Sequence, residues 1–288
     1  MRSMNTNKNS YTVIYTIVLV AIVATILALV SMGLKQKQQT NIEVEKQLSI
    51  LSSANLAQDV KSAKDKNSYV QGEFAKYITE ALVVNAKGEV VESCTEDITK
   101  SAAFKISIAD EYAKMRDIDA AKDEAAKESL INELRLPVFV CNMPDGGMRF
   151  ILSAYGAGLW GPIWAYVAVK KEGTELSGAI FDHASETPGL GGEIVTDKFR
   201  NQFVDKVIFD NGEICEIKVV KGGAKDPAHE VDALSGATIT STSVQKMLTQ
   251  WFNYYKPYLQ LIVDGSGNMP EQEIEVKEFE QDPQVIEL

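Results

Sequence analysis

Residues 136–171, LPVFVCNMPDGGMRFILSAYGAGLWGPIWAYVAVKK, decide the fold. Short apolar runs, PVFVCN, MRFILSAYG and WGPIWAYVAVKK, are separated by turn chemistry, first at MPDGG and then at the Gly-rich step after Tyr155, which reads as consecutive antiparallel strands. In the last run Ile163, Ala165, Val167 and Val169 share one face, and Trp160, Trp164 and Tyr166 share the other. The aliphatic face belongs to a core, and the aromatic face requires a cover of its own, either a packed helix or a planar aromatic ligand.

Upstream, residues 107 to 135 are rich in Ala, Lys, Asp and Glu with sparse apolar positions, which suits surface helices inserted between strands. Val83 and Val84, then Asn85 to Gly88, then Val90 and Val91 read as a first hairpin. Residues 68 to 82 read as helical, and Val44, Leu48, Leu51 and Val60 recur at near-helical spacing over residues 40 to 64. Ahead of these stands TVIYTIVLVAIVATILALVSMGL, residues 12 to 34, uncharged and as a helix about 35 Å long, enough to cross a bilayer. A cleaved signal peptide is the competing reading, but the run exceeds a usual apolar signal core, lacks an A-x-A site and carries no cysteine for lipidation.

Downstream, residues 175 to 182 make another strand, Gly191 to Asp205 a short helix, and 206 to 220 a hairpin about Asn211-Gly212. Val244, Met247, Leu248, Trp251, Phe252 and Tyr255 then form the buried stripe of a firmly packed helix. Glu271, Glu273, Glu275, Glu278, Glu280, Asp282 and Glu287 give an acidic tail from Gly265, expected to be mobile. The resulting division is an N-terminal segment (1–11), a transmembrane helix (12–34), a juxtamembrane helix (35–66), a soluble domain (67–262, with a helical insertion at 100–135) and the tail (263–288). The fold class is α+β: a twisted, mainly antiparallel sheet with packed helices behind one membrane anchor.

Of the 288 residues, 45% are hydrophobic and 24% charged, and the net charge is −11. Arg2 and Lys8 are the only charged side chains before Lys35, so the remainder carries −13. Nucleic acid is thereby an unsuitable partner, and anionic lipid would repel the body while the anchor holds it in the membrane. Positive residues nearly balance across the anchor, with a slight preference for the N-terminus inside. Cys94, Cys141 and Cys215 share no short spacing, and Cys141 and Cys215 read as core.

Two segments carry chemistry. Asp232-Ala233-Leu234-Ser235-Gly236-Ala237-Thr238 precedes the packed helix. A helix N-terminus offers free N–H groups and the positive end of the macrodipole to a phosphate, Gly236 and Ala237 permit close approach, and Thr238 supplies a hydroxyl. Ser-Gly and Thr-x-Ser are equally ordinary turn and cap chemistry. The second is His183-Ala184-Ser185-Glu186-Thr187-Pro188-Gly189-Leu190-Gly191-Gly192, whose glycines and proline fix a backbone that a ligand can approach, or simply a tight strand-to-helix connection. No Ser/His/Asp set, zinc spacing, phosphate-binding Walker loop or G-x-G-x-x-G fingerprint appears. Asp182, His183 and Glu186 form a minor metal alternative, with no metal as the expectation.

Taken in order behind one anchor, Gly158-Leu159-Trp160, the ETPGLGGE loop and the SGAT segment resemble the FMN-binding domain of the C subunit of the sodium-pumping NADH:quinone reductases. The resemblance implies FMN held covalently by a phosphoester to Thr238, installed by a flavin transferase with FAD as donor, Asp232 and Ser235 being its recognition residues. It further implies that Ser235, Gly236, Ala237, Glu186, Thr187, Gly189, Leu190, Gly191 and Trp160 surround the cofactor, with Thr187 and Leu190 against the flavin and Trp160 as an aromatic wall. The implied role is electron relay within a multi-subunit complex of the bacterial inner membrane that oxidises NADH, reduces ubiquinone and exports sodium, with the flavin domain periplasmic. The G subunit of Rnf-type ferredoxin:NAD complexes shares two of these motifs. A membrane-tethered module binding a phospho-ligand noncovalently, or serving assembly, is the alternative of another class.

Overall fold

The computed structural model describes residues 9–265. Residues 1–8 and the acidic tail beyond Gly265 lie outside the described residues. Helix α1 (Asn9–Ser53) runs through the apolar segment and onward without a break, about 68 Å in all. It is the one described helix long and apolar enough to cross a membrane. Its apolar first part, from Val13 to Leu34, is exposed among the described residues, whereas Val44, Ile50 and Leu51 near its end are buried. One helix therefore presents two different surfaces, the first suited to lipid and the second to protein.

After a 3-10 turn at Gln58–Ser62, α2 (Lys66–Tyr77) starts with Asp65 as its cap, the carboxylate accepting from the N–H groups of Asn67 and Ser68. The juxtamembrane helix thus ends at Ser53 rather than 66, and the second helix stops at Tyr77 rather than 82. Ile78 to Leu82 instead belong to β1 (Ile78–Val84), which pairs with β2 (Val90–Cys94) on one side and β3 (Leu136–Asn142) on the other. Two ladders of hydrogen bonds outweigh the local helical pattern.

Between β2 and β3 lie a 3-10 turn (Ile98–Lys100), α3 (Ala102–Lys105), α4 (Ile108–Ala120) and α5 (Glu124–Glu133). This helical segment is not wholly a solvated face: α4 buries Met115 and Ile118, and α5 packs Leu130 and Ile131 partly against the same cluster. Strands β4 (Met148–Ala157), β5 (Pro162–Lys170) and β6 (Leu176–His183) then follow as a meander. The six-stranded sheet has the order β2-β1-β3-β4-β5-β6, antiparallel throughout.

Alternation divides the core in two. Val138, Val140, Phe150, Leu152, Ala165 and Val167 face one cluster, which α4 and the last helix complete. Phe139, Cys141, Ile151, Tyr166 and Ala168 face the other, covered by the end of α1, α2 and α3. The aromatic face of β5 is therefore covered by helix. Trp160 does not share that face; it precedes the strand in a turn and is 67% exposed.

After β6 the chain makes a 3-10 turn (Gly191–Val195), a one-turn helix α6 (Asp197–Arg200) and another 3-10 turn (Asn201–Phe203), in place of a single helix to Asp205. Phe199 and Phe203 insert beside Phe181, and that packing holds a segment too short for regular helix. The Asn211-Gly212 hairpin forms as β7 (Phe209–Asp210) and β8 (Glu213–Ile214), with φ of 49° and 79° at the two turn residues, as a tight primed turn requires. It is shorter than expected. Lys218–Val220 is instead β9, parallel to β10 (Glu230–Asp232), and Cys215 is half-buried between strands rather than core. Helix α7 (Thr238–Val263) buries the anticipated stripe from Val244 to Tyr255. Trp251 Nε1 donates to the Tyr155 carbonyl (2.7 Å) and Tyr255 OH to that of Pro137 (2.8 Å), fastening α7 across the sheet.

At Gly178 in β6 an added Cβ would strike the Ser53 carbonyl at the end of α1. Gly178→Ala is expected to lower stability by about 1–3 kcal/mol through this overpacking. Gly72→Ala, in α2 with open space around it, is expected to raise stability by about 0.5–1 kcal/mol. Thermal unfolding of the two variants in detergent checks the pair.

Candidate functional site

The site is built at one end of the sheet from three connections. Strands β4 and β5 join through Gly158-Leu159-Trp160-Gly161, a turn closed by Gly158 N–H donating to the Gly161 carbonyl (2.8 Å). Its two central side chains, Leu159 and Trp160, project into solvent. The loop leaving β6 lies alongside, because β5 and β6 pair up to Ile163 and His183. Ser185 Oγ donates to the Trp160 carbonyl (2.8 Å). The third connection is the turn Leu234–Ala237 ahead of α7, closed by Ala237 N–H to the Leu234 carbonyl (3.1 Å), with Gly236 at φ +74°.

Glu186 ties these parts together. Its side chain is only 3% exposed. Oε1 accepts from the Trp160 N–H (2.9 Å) and Oε2 from Thr240 Oγ1 (2.6 Å), so one carboxylate spans the β4–β5 turn and the first turn of α7. Burial alone would raise its pKa, but the Thr240 hydroxyl and the N–H groups of Trp160 and Leu159, with His183 nearby, outweigh that and hold it below the usual glutamate value. A Cβ at Gly158 would collide with Oε1, and one at Gly191 with Oε2 and Thr240 Oγ1. Both positions are glycine because the carboxylate occupies the space.

His183 stands at the loop edge, its Nδ1 accepting from Glu186 N–H (3.2 Å), and Asp182 accepts from His183 N–H (2.7 Å). Asp182 and His183 are thus occupied by backbone N–H groups of this same loop, and among the described residues no three metal-ligating side chains converge. The Thr187 carbonyl accepts from the N–H groups of Leu190 and Gly192 (3.1 and 3.0 Å), while Gly189 adopts φ +76° and donates to Glu193 Oε1 (3.0 Å). Thr187, Gly189 and Leu190 lie at the open side of this loop, with Leu190 42% exposed.

Thr238 is the first residue of α7 and is half-buried. It is not the cap: that position is held by Ala237, whose methyl group makes no capping bond. The hydroxyl of Thr238 has no partner among the described residues. The helix therefore begins with uncapped N–H groups and a hydroxyl at its positive end, a setting that fits a phosphate monoester. Ser241 Oγ supports the turn from inside, accepting from Leu234 N–H (3.0 Å) and donating to the Ala237 carbonyl (2.9 Å). Leu190 lies against the same turn; a Cβ at Gly236 would sit 2.9 Å from its Cδ2. Leu159, Trp160, Leu190 and Ile239 are exposed apolar side chains on these connections, suited to the face of a planar ring system.

The fold brings most of the expected site residues together. Glu186, Gly191 and Trp160 are joined through the carboxylate, and Leu190, Gly236, Ala237 and Thr238 through the turn before α7. Ser235 stands at the tip of that turn. Asp232 is exposed at the end of β10, its carboxylate accepting from Ala224 N–H (2.6 Å), and it contacts neither Thr238 nor Glu186. Thr240 and Gly161 are not among the residues expected at the site, and Gly158 enters that expectation only as part of the GLW motif. A second threonine two places beyond Thr238 was the available signal for the first, and the flanking glycines of GLWG for the others.

The FMN-binding domain family matches residues 158–253, from Gly158 of the β4–β5 turn to the middle of α7. The C subunit of the Na(+)-translocating NADH-quinone reductase of Vibrio vulnificus (strain YJ016) is 34% identical over 246 residues, covering 84% of this chain and 91% of that protein. The crystal structure of the corresponding protein from Parabacteroides distasonis is 34% identical with a TM-score of 0.61, covering 78% of this chain and 96% of that one. Shewanella oneidensis NqrC is 26% identical with a TM-score of 0.57, covering 76% and 97%. With the GLW turn, the ETPGLG loop and the SGAT helix start assembled at one end of such a sheet, the chain belongs to the family of C subunits of the Na(+)-translocating NADH-quinone reductases.

Proposed function

We propose that this chain is the electron-relay subunit of a membrane NADH:quinone reductase, and that FMN is esterified through its phosphate to Thr238. The observation that carries the reading is the half-buried threonine at the uncapped start of α7, inside the region matched to an FMN-binding domain. When bound, FMN supplies one-electron redox chemistry; the protein supplies attachment, orientation and electrostatics. Attachment is an exchange at phosphorus. Thr238 Oγ1 bonds to the FMN-side phosphorus of FAD, the anhydride bond breaks, AMP departs and the hydroxyl proton is lost, so the chain gains FMN less one water.

The roles of the surrounding residues follow from their placement. The N–H groups at the start of α7 face the ester, with Ser235, Gly236 and Ala237 leaving the approach open. Leu190 and Thr187, on the loop of Gly189 and Gly191, and Trp160, on the turn bonded to Glu186, would flank the isoalloxazine; the contact of Leu190 with the turn at Gly236 supports this reading. Asp232 and Ser235, outside the core, are available to a flavin transferase, which a buried recognition residue would not be. The open apolar side leaves the ring reachable by neighbouring subunits that hand over and receive electrons.

The names of the relatives favour coupling to quinone and sodium over the ferredoxin:NAD complexes that share two of the motifs. The apolar part of α1 anchors the protein in lipid of the bacterial inner membrane, with the flavin domain on the periplasmic side, where electron flow through the complex to ubiquinone is coupled to sodium export.

Co-expression with the family's flavin transferase is expected to add the mass of FMN less water, read on the intact chain. Thr238→Ala is expected to abolish the gain, and Thr238→Ser to keep it, since the ester needs only the hydroxyl. An unmodified wild-type chain beside an active transferase would contradict the ester and favour a noncovalent phospho-ligand module. A reporter fused after Leu288 is expected to be active only in its periplasmic form; activity confined to the cytoplasm contradicts the orientation.

A further inference from the structure

The carboxylate of Glu186 is more than its bonding requires. Each of its polar side-chain contacts, with the Thr240 hydroxyl and the N–H groups of Trp160 and Leu159, is to a hydrogen-bond donor that an amide could also satisfy. A glutamine would accept the Trp160 N–H through Oε1 and donate through Nε2 to Thr240 Oγ1, whose hydroxyl can act either way. The amide would also avoid the desolvation cost of a buried ion. The fold therefore needs a hydrogen-bonding group here, whereas the charge must serve something else. It stands at a defined place: buried, in contact with Thr240 two residues beyond Thr238, behind the turn that presents Trp160, and against Gly191 of the loop.

We propose that Glu186 is a positioning residue whose fixed negative charge sets the reduction potential of the flavin tethered at Thr238, opposing the negative charge that reduction adds. The inference rests on the proposed ester. Like charges repel strongly where water is excluded, and the carboxylate is shielded by protein on all its bonded sides. It cannot relieve the repulsion by swinging away, because Gly158 and Gly191 close around its oxygens. The same bonds that lock it in place keep it ionised.

The test uses the full chain, co-expressed with the transferase and purified in detergent, with FMN loading read by intact mass and the midpoint potential by equilibrium redox titration. Glu186→Gln is expected to load FMN and to shift the midpoint positive by at least a tenfold change in the electron-transfer equilibrium, about 59 mV for a one-electron couple. Thr240→Val, titrated at alkaline pH so that the carboxylate stays ionised without the hydroxyl that holds its pKa down, is expected to shift it negative, because it removes the hydroxyl dipole that screens the carboxylate on the α7 side and leaves the charge. A displacement of the site without an electrostatic cause would not produce opposite signs. Loaded Glu186→Gln at the wild-type potential overturns the inference and leaves the ester standing, whereas wild-type chain without covalent FMN overturns the reading beneath it. Should Glu186→Gln fail to load, Thr240→Val decides alone: a negative shift supports the inference, and an unchanged or positive midpoint overturns it.

Discussion

One buried carboxylate organises the functional end of this molecule. Glu186 comes from the loop after β6, yet its two oxygens are spent on the β4–β5 turn and on the first turn of α7. A buried anion must have every acceptor position answered, so three segments remote in sequence are obliged to meet at one point. Gly158 and Gly191 are required by the volume of that carboxylate. Because Thr240 takes the anion through its side chain, the backbone N–H groups at the head of α7 remain available to a phosphate, as does the hydroxyl of Thr238.

The sheet keeps anchorage and chemistry apart. Its two faces carry separate clusters, with the end of α1 in one and α7 in the other. The helix that carries the apolar anchor is thus fastened to the back of the strands whose opposite face seats the helix bearing Thr238. Tyr255 and Trp251 fix α7 to strand carbonyls, so the position of its first residue follows from contacts made several turns away. Such a start is held by packing along the helix rather than by a cap, which is how the N-terminus can stay open without fraying.

Much of the fold was legible because its periodicities are strong. Ile163 to Val169 alternate cleanly, the stripe from Val244 to Tyr255 is a single helical face, and Asn211-Gly212 dictates its own turn. Where the sequence misled, tertiary pairing overrode local pattern: Ile78 to Leu82 are apolar enough for either state and become the strand that two neighbours pair with. The parallel contact of Lys218–Val220 with Glu230–Asp232 has no local signature at all. In the candidate site, residue chemistry singles out the loop, the turn and Thr238, and the common ligand proposed for them comes from resemblance. That Glu186 turns inward to Thr240 could not be, since hydrogen bonding between residues 54 positions apart leaves no trace in spacing.

The decisive measurement is the crystal structure of the chain matured with its transferase. Continuous density is expected from Thr238 Oγ1 into a flavin phosphate at the start of α7, with Glu186 still bonded to Thr240 and to the Trp160 turn. A flavin phosphate seated on any other residue, or a Glu186 side chain released from Thr240 to meet the ligand, would contradict it.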